Sequence, residues 1–471
     1  MPCTVERFDF WPVLAPDFRL LNVSGLHAPF TPRILTRCTL SDGSVGWGEV
    51  PCNTGVIRVL RTVLPEVVGT GISAEESART LERVAARSRE LSAQFALTDE
   101  RGSATFDRGV TNHVRAGVQM ALHAAMAQHM GVPLCDLLGG ENGRKRNEVR
   151  FNLYLFFLAD TAGSGLDYSY GKPATPRSEF EALRETVVMD AASAVRLAKA
   201  GVAELMPGVK LVKWKLGVLD PRAELAVMLA VAEALGPAVQ VVPDPNAAWD
   251  NETAIAVIRE LKGAIGEQLP YFEDPVAGRE NMAIVHRETG VPLATNMCAA
   301  NFEQHEDAVR KNAIQITLGG DCHYIGGSDE AVRLSRWCAA NGIGFAQHSN
   351  THLGISHAHT VQMGAAAETH DWPFDSHYFP WQADFDPVVS APMPLEFGGI
   401  CRVPEQPGLG VEVNFDGVMQ LHELYLAANR NGRAYQNRDD GPVAEVVYGG
   451  WVRPQNRAQK WFLAGVPREA L

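Results

Sequence analysis

Lys213 and Lys215 lie two residues apart in the apolar run "LVKWKLG", Leu211 to Gly217. In a strand, both side chains point to the same face. Leu211, Val212, Trp214 and Leu216 set that strand in a core, where neighbouring ammonium groups need opposite charge close by. A solvated strand face, the ordinary explanation of a Lys-x-Lys, does not suit such neighbours. Asp244, Glu273, Asn296, Asp321, His348 and His377 follow at steps of 29, 23, 25, 27 and 29 residues, and Lys215 precedes Asp244 by 29.

Asp244, Glu273 and Asn296 offer only oxygen, and a set with no Cys or His suits a hard cation such as Mg2+. Singly, "DPN" and "EDP" are common turn sequences; three such residues in register read as a ligand set. Asp321 and His348 end neighbouring elements, so the carboxylate can orient and charge the imidazole. A cation flanked by Lys215 and His348 suits removal of a proton α to a carboxylate. Such protons are very weakly acidic, and the enolate that forms needs cationic support. Lys213, beside Lys215, would neutralise carboxylate charge and lower its neighbour's proton affinity. The stretch "HSNTHLGISHAH" adds His352, His357 and His359, but it lacks the glutamate of a zinc-binding HExxH helix. Those three are read as helix-face residues.

The elements that must position these groups begin near residue 148. Runs such as "LVKWKLG", "VQVVPDPN", "PYFEDP", "VPLATNM", "AIQITLGGD", "GIGFAQHSN" and "WPFDSHY" alternate with amphipathic segments such as "DPRAELAVMLAVAEAL". Alternation of this kind implies a parallel sheet. Seven or eight units in about 250 residues imply a (β/α) barrel, at roughly 31 residues per unit. A doubly wound sheet is the alternative, but no glycine-rich phosphate turn follows the first strand. The polar residues then close successive strands at their C-terminal ends, where barrel active sites are built. Residues 1–147 mix strand-like runs ("VERFDFWPV", "RILTRCTL", "VGWGEV") with a helical pattern from Val110 to Leu138, an α+β region. Residues 148–395 form the barrel. Residues 396–471 are too irregular for further units and are expected to pack back on the N-terminal region. Residues 160–185, rich in Gly, Ser, Tyr and Pro in their first part, read as an insertion after the first barrel strand and a possible lid.

With 46% hydrophobic and 21% charged residues, the chain has the composition of a soluble globular protein. No run reaches the roughly 20 apolar residues of a membrane span, and the first residues show no signal-peptide pattern. A net charge of -13 without a basic cluster argues against nucleic acid and membrane partners. Eight cysteines, scattered singly, suit thiols in a reducing cytoplasm.

Lys-x-Lys, then Asp, Glu and Asn, then an Asp/His pair, resembles the enolase superfamily in its mandelate-racemase-like branch, whose sites are known to use Lys or His bases with Mg2+. More narrowly the chain resembles the D-glucarate dehydratases, through "LLNVSGLHAPF", "GWGEVP", "TFDRGVTNHV", "LYLFF", "KWKLG", "DPNAAW", "EDP", "PLATNM", "QHSNTH", "DSHYFPWQ", "PGLGVEV" and "NRDD". The resemblance implies a modified TIM barrel, (β/α)7β, closed by an α+β capping domain built from both termini. It implies a Mg2+-dependent hydro-lyase that removes the α-proton of a hexarate and expels the β-hydroxyl as water. A 4-deoxy-5-keto hexarate would result. Lys215 would be the base on one face and His348 on the other, so that both epimers, D-glucarate and L-idarate, are handled. Asp321 would support His348, with Asn350 and Asp375 assisting departure of the hydroxyl. His27, Thr105, Tyr154, Lys213, Asn246, Asn296, His377 and Arg438 would contact the substrate, and a homo-oligomer is implied by analogy.

The sequence departs from the family pattern after "EDP", where "VAGREN" replaces a longer acidic stretch, and at "LGGDCHYIGGS" and "HYFPWQADFD". Glu273 is therefore taken as the second ligand and Glu280 as a helix-start residue. These departures leave open another acid sugar, such as galactarate or a shorter aldarate, and an epimerase. A non-catalytic sugar-acid-binding relative is the reading from another class.

Overall fold

The computed structural model describes residues 2–23, 25–95, 109–161 and 167–430. Thr105 and Arg438 lie outside them. Strands Val5–Pro16, Phe30–Leu40 and Val45–Pro51 form an antiparallel sheet in chain order. Helices Thr54–Val67, Ala74–Phe95 and Val110–Met130 accompany it, the last lying on the Val45–Pro51 strand. The helical pattern from Val110 to Leu138 is broken at Gly131, whose φ of 71° turns the chain into the left-handed region before a short helix, Leu134–Gly139. Helix Phe415–Arg430 returns to this region: Phe415 meets Trp11 edge to face at 5.3 Å, and His422 Nδ1 donates to the Pro12 carbonyl at 2.6 Å. Strands Leu395–Glu396 and Ile400–Arg402 instead extend the Glu148–Arg150 strand.

Strands Leu153–Leu155, Leu211–Lys215 and Gln240–Asp244 form one parallel sheet, with Leu211–Lys215 in the middle. Phe272–Glu273, Leu293–Thr295, Ile316–Thr317 and Gly344–Phe345 form a second, also parallel. Helices separate them, and several open on a side-chain cap. Asp220 accepts from Arg222 N, Asp250 from Thr253 N, and Asn301 from Gln304 N. Beyond the strand ends, Ala247 N donates to the Asp274 carbonyl at 2.6 Å and joins the sheets at one seam. At the other seam Asp375 N donates to the Gln347 carbonyl and Asn152 N to the Phe374 carbonyl, both at 2.9 Å. Parallel strands in successive units run the same way, so their C-terminal ends gather on one side. The run "WPFDSHY" supplies only a single parallel bridge, Phe374 to Phe151, rather than a strand. Pro373, without an N–H, cannot extend that ladder.

All five residues of Leu211–Lys215 are buried, the lysines included. Gly217 then turns the chain at φ 78°, and a Cβ there would stand 2.3 Å from the Pro245 carbonyl oxygen. Among the described residues, no helix is long and apolar enough to cross a membrane. The eight cysteines are free thiols.

Candidate active site

A cavity of about 220 Å³ opens at the C-terminal strand ends, lined by Lys215, Asn246, Asn296, His348, Asn350 and His377 among others. His27 closes it from the N-terminal region, and Tyr154 and Phe156 form part of its wall.

Lys215 Nζ donates to Asp244 Oδ2. Burial lowers its proton affinity, Asp244 works against that, and Lys213 adds to the lowering. Lys213 is fully buried and does not line the cavity. Its Nζ lies 2.5 Å from Glu273 Oε2, 2.5 Å from Asp375 Oδ2 and 3.4 Å from Asp244 Oδ2. Burial opposes the charge on Lys213, but Asp375 and Glu273 outweigh it and hold the ammonium well above the ordinary lysine range. The Tyr154 ring lies beneath both cations, 4.7 Å from Lys213 Nζ and 5.5 Å from Lys215 Nζ.

Asp244 and Glu273 thus converge on one ammonium. Burial and the neighbouring Asp244 charge raise Glu273 well above the carboxylate range. Glu273 Oε1 and Asn296 Oδ1 are buried without a hydrogen-bond donor among the described residues. Crowded, unsatisfied oxygens of this kind fit a hard divalent cation. Asp274, the second residue of "EDP", holds Asn296 in place. Its carboxylate accepts from Thr295 Oγ1 at 2.5 Å, Asn296 N at 2.9 Å and Met297 N at 3.1 Å. Those bonds accompany its left-handed φ of 35°, and burial pushes its carboxyl up to about 6. Asn246, at φ 56°, donates its backbone N–H to Asp244 Oδ1 at 2.9 Å. Glu280 lies in the first turn of helix Arg279–Thr289, where its carboxylate pairs with Lys311 at 3.3 Å.

His348 Nδ1 faces Asp321 Oδ2 at 3.5 Å. Burial pushes its imidazole down to about 3, against the pull of Asp321 and with the push of the lysines. Asp321 stays well below the carboxylate range despite burial, because His323 and His348 both face it. Asn350 Nδ2 donates to the Tyr324 hydroxyl at 2.6 Å. Asp375 lies beneath, between Lys213 and Asn152 Nδ2, the latter at 2.7 Å. His377 Nδ1 donates to Gln382 Oε1 at 2.7 Å, leaving Nε2 buried without a partner among the described residues. That nitrogen is an acceptor suited to a hydroxyl. His27 donates Nδ1–H to Asp17 Oδ2 at 3.0 Å and accepts from Asn22 Nδ2 at 2.9 Å.

His357 and His359 lie on helix Gly354–Ala366, wholly buried, but His352 precedes that helix and is not on it. The chain enters the helix at Leu353, which is still extended at ψ 178°. His352, His357 and Tyr378 stack, with His352 and His357 6.3 Å apart and near parallel, and burial holds both imidazoles well below the ordinary range. Sequence reasoning missed Asn22, Arg33, Phe156, Tyr324 and Ser349, all of which line the cavity. Asn22, inside "LLNVSGLHAPF", Phe156, inside "LYLFF", and Ser349, between His348 and Asn350, carried a signal that could have found them.

Two basic side chains, Lys215 and His348, over a cluster of oxygen-bearing side chains at the C-terminal ends of parallel strands make an arrangement suited to acid–base chemistry on an α/β barrel-like fold. Residues 191–417 match the family model described as enolase C-terminal domain-like. The chain is 34% identical, over 96% of its length and 98% of the relative's, to a probable glucarate dehydratase of Streptomyces coelicolor. It superimposes with a TM-score of 0.77 on an enolase of Pseudomonas fluorescens crystallised with magnesium, potassium and tartrate, at 29% identity over 91% of this chain and 94% of that one. A Mycobacterium smegmatis enolase complexed with tartrate gives 0.75 at 31% identity, over 90% and 92%. The chain belongs to the enolase superfamily, in its mandelate racemase and muconate-lactonising branch, and has that family's α/β barrel-like fold with a capping domain.

Proposed function

We propose that this enzyme is a Mg2+-dependent acid-sugar dehydratase acting on a hexarate, D-glucarate or L-idarate. The observation that carries the reading is the placement of Lys215 and His348 in one cavity with Asn296. Amides and imidazoles around them suit a polyhydroxy diacid. Asp244, Glu273 and Asn296 would hold the Mg2+, which when bound draws charge from the substrate carboxylate. Lys215 takes the α-proton, breaking the C–H bond, and that electron pair forms the new double bond as the β C–O bond breaks. His348, entering this step as the imidazolium beside Asp321, donates its proton to the departing hydroxyl, which leaves as water, and the enol tautomerises to the 4-deoxy-5-keto acid. His348 can also act as base on the opposite face.

Asn350 assists at the leaving group, Asp375 assists from beneath through its pairing with Lys213, and His27, Tyr154, Asn246, Asn296 and His377 position the substrate. A (β/α)7β barrel in residues 148–395, capped by residues 1–147 with the C-terminal segment, is the organisation that goes with this function. The Tyr168 hydroxyl donates to the His27 carbonyl at 2.6 Å, which ties the described residues of the insertion to the cavity wall.

The test is incubation of purified protein and Mg2+ with a panel of acid sugars, including D-glucarate, L-idarate, galactarate and shorter aldarates, assayed for α-keto acid. Product from D-glucarate or L-idarate is the expected result. Product from galactarate or a shorter aldarate alone moves the reaction to that substrate. Solvent deuterium exchange without elimination makes the enzyme an epimerase, and no change in any acid sinks the catalytic reading.

A further inference from the structure

We infer that His323 is a positioning residue which, held by Arg33, fixes the Asp321 carboxylate that serves His348. The inference rests on the proposed role of His348 as a base. Asp321 is shared between two imidazoles. Its Oδ2 faces His348 Nδ1 at 3.5 Å, and its Oδ1 accepts the His323 backbone N–H at 3.0 Å and lies 2.8 Å from His323 Nδ1, an ion-pair contact rather than an aligned hydrogen bond. All three side chains are buried.

The far nitrogen of His323 decides where its proton sits. Arg33 Nη2 donates to His323 Nε2 at 3.3 Å, and Ser356 Oγ lies 2.6 Å from the same nitrogen. A guanidinium can only donate, so Nε2 offers its lone pair and the proton belongs on Nδ1, which lies in close contact with Asp321 Oδ1 without an aligned hydrogen bond to it. Arg33 cannot swing away, because its Nε donates to Glu49 Oε1 at 2.8 Å and both groups are buried. Glu49 in turn accepts from Leu353 N and Ser356 N, each at 2.9 Å, on the segment that follows His348.

The chain of contacts therefore runs from the N-terminal sheet, through Arg33 and His323, to Asp321 and back to the His348 segment. It commits one carboxylate oxygen to His323 and leaves the other for His348. Asp321 cannot rotate to present both oxygens to the base, and the charge it lends His348 is divided. The orientation of one base thus depends on a guanidinium from the antiparallel sheet, whereas Lys215 is anchored separately on Asp244.

Two measurements test this. Nitrogen-15 NMR of the wild-type protein should show His323 protonated on Nδ1 and bare on Nε2; the opposite tautomer overturns the inference without any substrate. α-Proton exchange with deuterated solvent, followed separately on the two epimers, tests the consequence. His323→Phe should slow exchange on the His348 face by at least about tenfold and leave the Lys215 face within about twofold. His323→Asn, which can set a donor near the position of Nδ1, should restore most of the loss. Equal loss on both faces, or loss on neither, overturns the proposal. If the wild-type protein exchanges no acid sugar, the dehydratase reading fails, and the NMR tautomer decides the inference by itself.

Discussion

Lys213 Nζ stands 2.5 Å from both Glu273 and Asp375, and Asp375 lies 162 residues further along the chain. One buried ammonium neutralises carboxylates from two distant parts of the chain, one closing the Phe272–Glu273 strand and the other following the last parallel strand. Removing it leaves buried negative charge without a partner. Lys213→Met should cost about 3–5 kcal/mol in urea unfolding, and Asp375→Asn in the same chain should recover part of that loss. A cost below about 1 kcal/mol would show that the carboxylates find other partners.

Magnesium should stabilise the folded protein as well as support turnover. At a hundredfold excess over Kd, binding to the native state alone contributes about 2.7 kcal/mol, read as a rise in Tm. Glu273→Gln should abolish most of that rise, and chelation should stop turnover until Mg2+ is restored. An unchanged response in Glu273→Gln would move the second ligand elsewhere.

Asp274 touches no substrate in this reading, yet three bonds from its neighbours end on it. Asp274→Ala should cost about 2–4 kcal/mol, at roughly 1 kcal/mol per bond plus the unpaired donors. It should also raise the Mg2+ concentration needed for half-maximal stabilisation, because Asn296 is released. A loss of stability with unchanged metal response would separate the two effects and place Asn296 outside the metal site.

Glu224 ties down the loop after Lys215. Its Oε1 accepts from Val218 N at 2.8 Å and Leu219 N at 3.0 Å, and burial raises its carboxyl from an ordinary 4.5 to about 7. The folded state therefore keeps a proton that the unfolded chain has lost between those values. Its contribution to stability is present below about pH 4.5 and disappears as pH rises through about 7, a change of up to about 3 kcal/mol. Glu224→Gln removes that dependence, so the variant should gain on the wild type between pH 5 and pH 8 in urea unfolding. A constant difference across that range would contradict the assignment.

Much of the site was legible because a βα unit has a nearly fixed length. A polar residue every 23 to 29 positions marks successive strand ends, so Lys215, Asp244, Glu273 and Asn296 could be placed together before any coordinates. Their chemistry, oxygen without sulfur or imidazole, pointed to a hard cation in the same way. Local spacing also located His348, but it set His352 on the wrong element, since nothing in the run marks Leu353 as still extended.

The chain alone determined the periodic framework and the residue types at its strand ends, since both are written in short-range pattern. Tertiary structure decided who partners whom. Lys213, next to Lys215 on its strand, is held between Glu273 and Asp375. Arg33 reaches His323 across 290 residues, and Glu49 reaches Leu353 across 304. Such pairings depend on how the antiparallel sheet meets the mouth of the parallel strands. That geometry is set by packing across the whole core, which no local periodicity encodes.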